Sequence, residues 1–320
     1  MATLLSMLRV CSELHFLVAR SMYSRIHVYG QSARHLFATL SSKSRFSSIY
    51  ATFLRRLRYT VTAASDMYLT YPILCQALLT TENLVALSLD IFPGQGGPLI
   101  SSLERYGLVV NRVLVATRFL DLSRGIRRTP FTPALASLRG LRVRGDWSLS
   151  VLVCNRAVDE LVLSSPVDYA ALSEVCCLVD RSVYGSQLTT LVIRLVPLLK
   201  IDEALEALSE ILPNLEQLSL DQIGLMPVLQ SVVAPRQLFP SIRRLALNPV
   251  SGWRAECEVT RQQFIMDLCS WMDEKITVES RLVHFTMGNV AWFLDLTSYT
   301  WKAEPRKGSI ISLTALTHSL

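Results

Sequence analysis

No stretch of this chain stays apolar for the roughly 18 residues that a membrane-spanning helix needs. Its most apolar run, Leu108 to Leu122, is broken by Arg112 and Arg118. Charge is scarce at 18% of residues, yet half the chain is apolar, so the composition is globular rather than disordered. The seven cysteines are an odd number and include no C-x-x-C pair, which leaves no zinc ribbon and no complete disulfide framework. Most sit among apolar neighbours and read as reduced core thiols of an intracellular protein. The five histidines never fall at metal-ligand spacing. Neither G-x-x-x-x-G-K-[ST] nor G-x-S-x-G occurs. The net charge of +6 is carried by scattered arginines and not by a Lys/Arg block of the nucleic-acid-binding kind.

One motif resembles enzyme chemistry. Pro93-Gly94-Gln95-Gly96-Gly97-Pro98 follows a strand-like segment and precedes a helical one, as a dinucleotide loop does. Leu99 takes the third glycine position and no acid follows at the expected distance, so the segment reads as a glycine-rich turn with Pro98 opening a helix. The pairs Asp202/Glu203 and Asp273/Glu274 read as solvated helix faces. The chain is therefore expected to have no catalytic, cofactor or metal site.

What is present is repetition. The pattern apolar-x-x-apolar-x-apolar occurs at Leu84/Leu87/Leu89, Leu188/Leu191/Ile193, Leu215/Leu218/Leu220 and Ile242/Leu245/Leu247. Weaker copies begin at Tyr23, Leu54, Val110, Leu138, Val158 and Leu282. Seven of the nine steps between first anchors lie between 26 and 31 residues. Three copies share a lead-in: Thr81-Glu82-Asn83, Leu212-Pro213-Asn214 and Phe239-Pro240-Ser241. The last two anchors alternate with polar or small residues, which places them on one face of a short strand. Strands this short need stacked neighbours to share a core. Between them, helical periodicity predicts helices over 66–79, 98–106, 168–178, 201–212, 225–233 and 260–272. Strand, loop, helix, loop at this period is the leucine-rich-repeat unit. The expected reading is an α/β fold: an irregular leucine-rich-repeat solenoid of ten parallel strands, in order, with the sheet on the concave face and helices outside. It is irregular because Phe92, Asp146, Pro166, Val196, Ile223 and Val250 stand where a ladder asparagine would.

The front end reads Leu4-Leu5-Ser6-Met7-Leu8-Arg9-Val10-Cys11-Ser12-Glu13-Leu14-His15, then Ala19, Tyr23, Ile26 and Val28. It resembles the second half of an F-box, and with the repeats the chain resembles the fungal F-box/leucine-rich-repeat proteins. Residues 1–30 are then a partial F-box-like helical segment and first strand, 31–290 the solenoid, and 291–320 a C-terminal cap and tail containing Trp292, Phe293, Tyr299 and Trp301. The Leu-Pro-x-Glu signature of the first F-box half is absent. The resemblance implies a substrate receptor of an SCF-type cullin–RING ubiquitin ligase, docking on the ligase adaptor where the F-box is functional. A free-standing leucine-rich-repeat scaffold without a ligase role is the alternative. Residues 1–48 also have the Arg- and Ser-rich, acid-poor composition of a transit peptide. The anchor at Tyr23, Ile26 and Val28 argues that they are retained, so a cytoplasmic or nuclear location is expected.

A period of two points the second, fourth and sixth residues after each first anchor away from the core. These positions hold Arg25, His27, Arg56, Arg58, Arg112, Arg142, Arg144, Arg194, Arg244 and His284, against the acids Asp90, Glu160 and Asp221. Eight arginines to three acids exceeds the bias of the whole chain, 32 to 26. Guanidinium groups suit bidentate contact with carboxylate or phosphate. The expected partner is an acidic or phosphorylated protein segment, neither nucleic acid nor membrane, held on Arg56, Arg58, Arg112, Arg142, Arg144, Arg194 and Arg244. The same arginines also suit a merely solvated sheet face.

Overall fold

The computed structural model describes residues 12–42, 44–109, 134–180, 187–196, 201–223, 239–249, 282–287, 290–295, 297–298 and 300–305. The chain divides into two compact units, Met1–Leu188 and Thr189–Leu320. Both are α/β, and the strands are mostly parallel.

The first unit carries α1 (Ser12–Ser24), β1 (Arg25–Tyr29), α2 (Gly30–Ser41), α3 (Arg45–Phe53), β2 (Arg56–Thr60), α4 (Ala64–Thr80), β3 (Ala86–Asp90), α5 (Gly96–Arg105), β4 (Gly140–Arg144), a 3-10 helix (Trp147–Val153), β5 (Glu160–Val167) and α6 (Tyr169–Asp180). β1 to β5 pair in sequence order, all parallel. The anchors of the repeat form the core: Leu54, Leu57, Tyr59, Leu84, Leu87, Leu89, Leu138, Leu141, Val143, Val158, Leu161 and Leu163 are all buried. Helices cover this face, and Phe37 of α2 meets Tyr59 edge-on at 5.4 Å.

Two backbone devices recur with the sequence repeat. The amide of five first anchors closes a turn on the carbonyl three residues earlier: Leu54 on Ala51 (3.4 Å), Leu84 on Thr81 (3.3 Å), Leu138 on Leu135 (3.0 Å), Leu215 on Leu212 (3.2 Å) and Ile242 on Phe239 (3.1 Å). That turn explains the lead-in, because proline suits its second position. From β2 to β5, the carbonyl just before one strand then accepts two amides from the next. Arg55 O receives Val85 N and Ala86 N, Val85 O receives Arg139 N and Gly140 N, and Arg139 O receives Asp159 N and Glu160 N.

The second unit contains β6 (Thr190–Leu195), α7 (Ile201–Ile211), β7 (Gln217–Ile223), β8 (Arg244–Pro249), β9 (His284–Met287), β10 (Val290–Asp295) and β11 (Thr300–Pro305). The carbonyl device repeats here from Thr189 to Glu216/Gln217, Glu216 to Arg243/Arg244 and Arg243 to Val283/His284. β6 to β9 pair in parallel.

Three expectations need correcting. Val110 begins no rung between its sequence neighbours, because β3 pairs directly with β4, Leu87 opposite Leu141. The pattern in residues 110–115 falls inside an excursion between two adjacent strands and lies outside the described residues. Beyond β9 the order stops being parallel: β10 runs antiparallel to both β9 and β11. Met287 and Val290 are too close in sequence for a parallel crossover, which takes a dozen or more residues. Finally, helices α2 (Gly30–Ser41) and α3 (Arg45–Phe53) stand where no element was expected, and a 3-10 helix follows β4. The predicted helices over 225–233 and 260–272 lie outside the described residues.

Arg156 ties the excursion at its root. Its side chain is only 3% exposed. Nε donates to Ala134 O (3.0 Å), Nη1 to Leu152 O (2.8 Å) and Cys154 O (3.3 Å), and Nη2 to Leu108 O. Leu108 and Ala134 lie on either side of residues 110–133, within the segment that separates β3 from β4.

Candidate partner-binding face

In the first unit the residues opposite the buried anchors form three cross-strand rows. The lower row runs Arg25, Arg56, Ala86, Gly140, Glu160. The middle row runs His27, Arg58, Ser88, Arg142, Val162. The upper row runs Tyr29, Thr60, Asp90, Arg144. Strands lie roughly 5 Å apart, so Arg58 and Arg142 straddle Ser88 with their Cα atoms about 10 Å apart. Arg25, Arg58 and Arg144 are exposed, Arg56 and Arg142 half-buried.

The acids on this face hold the arginines loosely. Asp90 lies 3.7 Å from Arg144 and 4.0 Å from Arg58, and Glu160 lies 4.0 Å from Arg142. These distances exceed the 2.7–2.9 Å typical of a charge-assisted hydrogen bond. His27 Nε2 lies 3.2 Å from Thr60 Oγ1. Burial and then the neighbouring Arg58 hold its imidazole below the usual histidine range, against the opposing pull of Asp90.

The second unit arranges its corresponding residues differently. Arg194, Asp221 and Asn248 share one row. Asn248 Nδ2 donates to Asp221 Oδ1 at 2.7 Å, and Ser219 Oγ donates to the same oxygen at 3.3 Å. Asn248 is buried and Arg194 half-buried, so this row is not an open cationic surface. Arg244 is exposed and opposes His284, whose ring stacks on Phe293 at 4.5 Å. Arg112 lies outside the described residues. The structure thus brings Arg56, Arg58, Arg142 and Arg144 together on the first unit. Sequence reading missed the run of small residues between them, Ala86, Ser88 and Gly140, because it did not reveal that β3 and β4 are neighbours.

The glycine-rich loop is filled by the chain itself. Gly96 N, at the start of α5, donates to Asp146 Oδ2 at 2.8 Å. Asp146 Oδ1 accepts Ser148 N at 3.0 Å and Ser148 Oγ at 2.6 Å. A Cβ on Gly96 would come within 2.5 Å of that carboxyl group. Glycine is required there for close packing, and an internal carboxylate takes the helix terminus where a phosphate would bind. Among the described residues, no group of three or more His, Cys, Asp and Glu is placed to hold a metal, and no helix is long and apolar enough to cross a membrane.

No known family model and no curated protein matches the chain.

Proposed function

We propose that this chain is a leucine-rich-repeat-type solenoid, not an enzyme, whose sheet face binds an acidic or phosphorylated protein segment, and that it serves as the substrate receptor of an SCF-type cullin–RING ubiquitin ligase. The binding reading rests on one observation: Arg56 and Arg58 on β2 and Arg142 and Arg144 on β4 flank β3 on one sheet face, with Asp90 and Glu160 as loosely held acids among them. The repeated turn and carbonyl device support the solenoid. Phe16 and Leu17, exposed on α1, offer apolar surface to an adaptor.

The free-standing scaffold is favoured by a different observation. α1 is bound into its own unit: Tyr23 stacks on Tyr50 of α3 at 4.7 Å, and His15 Nε2 lies 2.9 Å from Tyr50 Oη. A helix so engaged serves as an end cap without any adaptor. Affinity capture with the purified ligase adaptor separates the two roles: retention that is lost in Leu17→Asp supports the receptor, and no retention leaves the scaffold. For the face itself, Arg142→Glu with Arg144→Glu should weaken partner binding sharply and leave the thermal transition in place. Binding indifferent to both this change and added salt would defeat the acidic-partner reading.

A further inference from the structure

We infer that the free edge of β1 receives an extended segment of the partner as one further strand of the sheet, a segment in which acids alternate with apolar residues. The inference rests on the acidic-partner reading above and adds how that partner is held.

The first unit begins with an unfinished rung. Among the described residues β1 pairs with β2 alone, and it stands first in the strand order. In β2, β3, β4 and β5 both strand anchors are buried: Leu57 and Tyr59, Leu87 and Leu89, Leu141 and Val143, Leu161 and Leu163. Their counterparts in β1, Ile26 and Val28, remain partly exposed. The end of the stack therefore still has apolar side chains for a further strand to cover.

The backbone of β1 offers the matching hydrogen bonds. Ser24 O accepts Arg55 N at 3.1 Å, so it turns toward β2. Main-chain groups of successive residues alternate between the two edges of a strand. The N–H and C=O of His27 therefore turn the other way, with the C=O of Arg25 and the N–H of Tyr29 beside them. An extended segment pairs with such an edge through its main chain, and its alternate side chains set its identity.

Charge and period fix those side chains. β1 and β2 read Arg25-Ile26-His27-Val28-Tyr29 and Arg56-Leu57-Arg58-Tyr59-Thr60, without an acid in either. An added strand places every second residue on the arginine face, about 5 Å from Arg25 and His27, and the others beside Ile26 and Val28. Acids suit the first set, where Arg25 is exposed, and apolar residues suit the second. A second copy of this chain suits the edge poorly. Its own β1 and β2 would bring Arg25, Arg56 and Arg58 onto the same stretch of sheet as their equivalents, and like charges on neighbouring strands repel.

The test uses the full chain and a fluorescent heptapeptide of alternating glutamate and valine, read by fluorescence anisotropy. The probe should bind, and a heptapeptide of glutamate alone should bind more weakly. Edge pairing uses every second N–H of the added strand. N-methylation of one set, the glutamates or the valines, should therefore weaken binding about tenfold while methylation of the other set does not. His27→Pro, tolerated on an edge strand where the N–H faces outward, should weaken binding to a similar degree. Arg25→Glu should shift the preference to a heptapeptide of alternating lysine and valine. The inference is overturned if the all-glutamate peptide binds as well as the alternating one, if both N-methylated peptides behave alike, or if Arg25→Glu keeps the wild-type preference. The acidic-partner reading survives that result where the Arg142/Arg144 double variant loses the all-glutamate peptide. Binding of neither acidic peptide overturns both. A dimer in sedimentation that His27→Pro dissolves overturns the inference in favour of a second copy at this edge.

Discussion

Replacing Arg156 with methionine should remove about 4 kcal/mol of stability, a value set by four hydrogen bonds that no other residue can replace. The guanidinium is buried and bonds only to backbone carbonyls, those of Leu108, Ala134, Leu152 and Cys154. Each carbonyl left buried without a donor costs roughly 1–3 kcal/mol. Methionine restores part of the apolar stem and none of the donors. Against this, desolvation of the cation already weighs on the native protein, which keeps the estimate near 4 kcal/mol and below the sum of four bonds. Burial draws this guanidinium down to about 10. It therefore stays protonated at neutral pH. The unfolded chain binds more protons only from about pH 10 upward, so the Arg156 contribution should be flat from pH 6 to 8. Arg156→Lys keeps the charge but offers three protons on one nitrogen, and should still cost about 2 kcal/mol. Urea unfolding followed by circular dichroism measures the loss, and amide exchange at β4 and β5 locates it. A loss below about 1 kcal/mol for Arg156→Met, or one that varies strongly between pH 6 and 8, would refute the reasoning.

Gly145 has φ of +103°, and a Cβ there would sit 1.8 Å from Ile91 O. Gly145→Ala should therefore cost about 2–4 kcal/mol, whereas Gly140→Ala, in ordinary contact, should be near neutral in thermal melts. A tolerated Gly145→Ala would contradict the backbone geometry of the β4 turn. His27 should titrate by NMR below 6.5, and Asp90→Asn should lower it further, since Asp90 is the one neighbour that raises it. Because the unfolded chain takes up this proton first, stability from His27 should fall as pH drops below about 6.5 and level off below the folded pKa; an upward shift in Asp90→Asn would contradict the row geometry. Iodoacetamide should label exposed Cys177 well before Cys75 and Cys176, whose thiols burial pushes up to about 12; equal rates by peptide mass mapping would contradict their burial.

The legible part of the fold was whatever repeats. Every described first anchor after Tyr23 is buried, and the predicted helices over 66–79, 98–106, 168–178 and 201–212 correspond to α4, α5, α6 and α7. Periodicity reports burial directly, so these elements could be read. Adjacency could not. Val110, Val113 and Val115 satisfy the pattern as well as Leu138, Leu141 and Val143 do, yet only the latter pair with β3. Residue spacing says which side chains share a face, and not which strand comes next. The antiparallel β10 and β11 carried a different signal, the alternation Trp292, Leu294, which the sequence reading assigned to a cap without strands. Arg156 gave no signal at all, because its partners are carbonyls and carbonyls are silent in sequence.

The same distinction governs how the arginine face is read. Counting outward residues gave eight arginines and three acids, as though most cations were unopposed. Register changes that count into a geometry: Asp90 is shared by Arg58 and Arg144, and Glu160 faces Arg142. Pairing makes an arginine less available to a partner only where the pair is strong. At these separations and exposures, however, an ion pair is worth only about 0–1 kcal/mol. A ligand oxygen at hydrogen-bonding distance gains more than the loose contact it disturbs, because charge-assisted hydrogen bonds contribute about 1.5–3 kcal/mol. The internal acids therefore keep the guanidinium groups in position over the sheet without neutralising them. That is a more useful property for recognition than an excess of unpaired charge, which would repel itself and bind anions without discrimination.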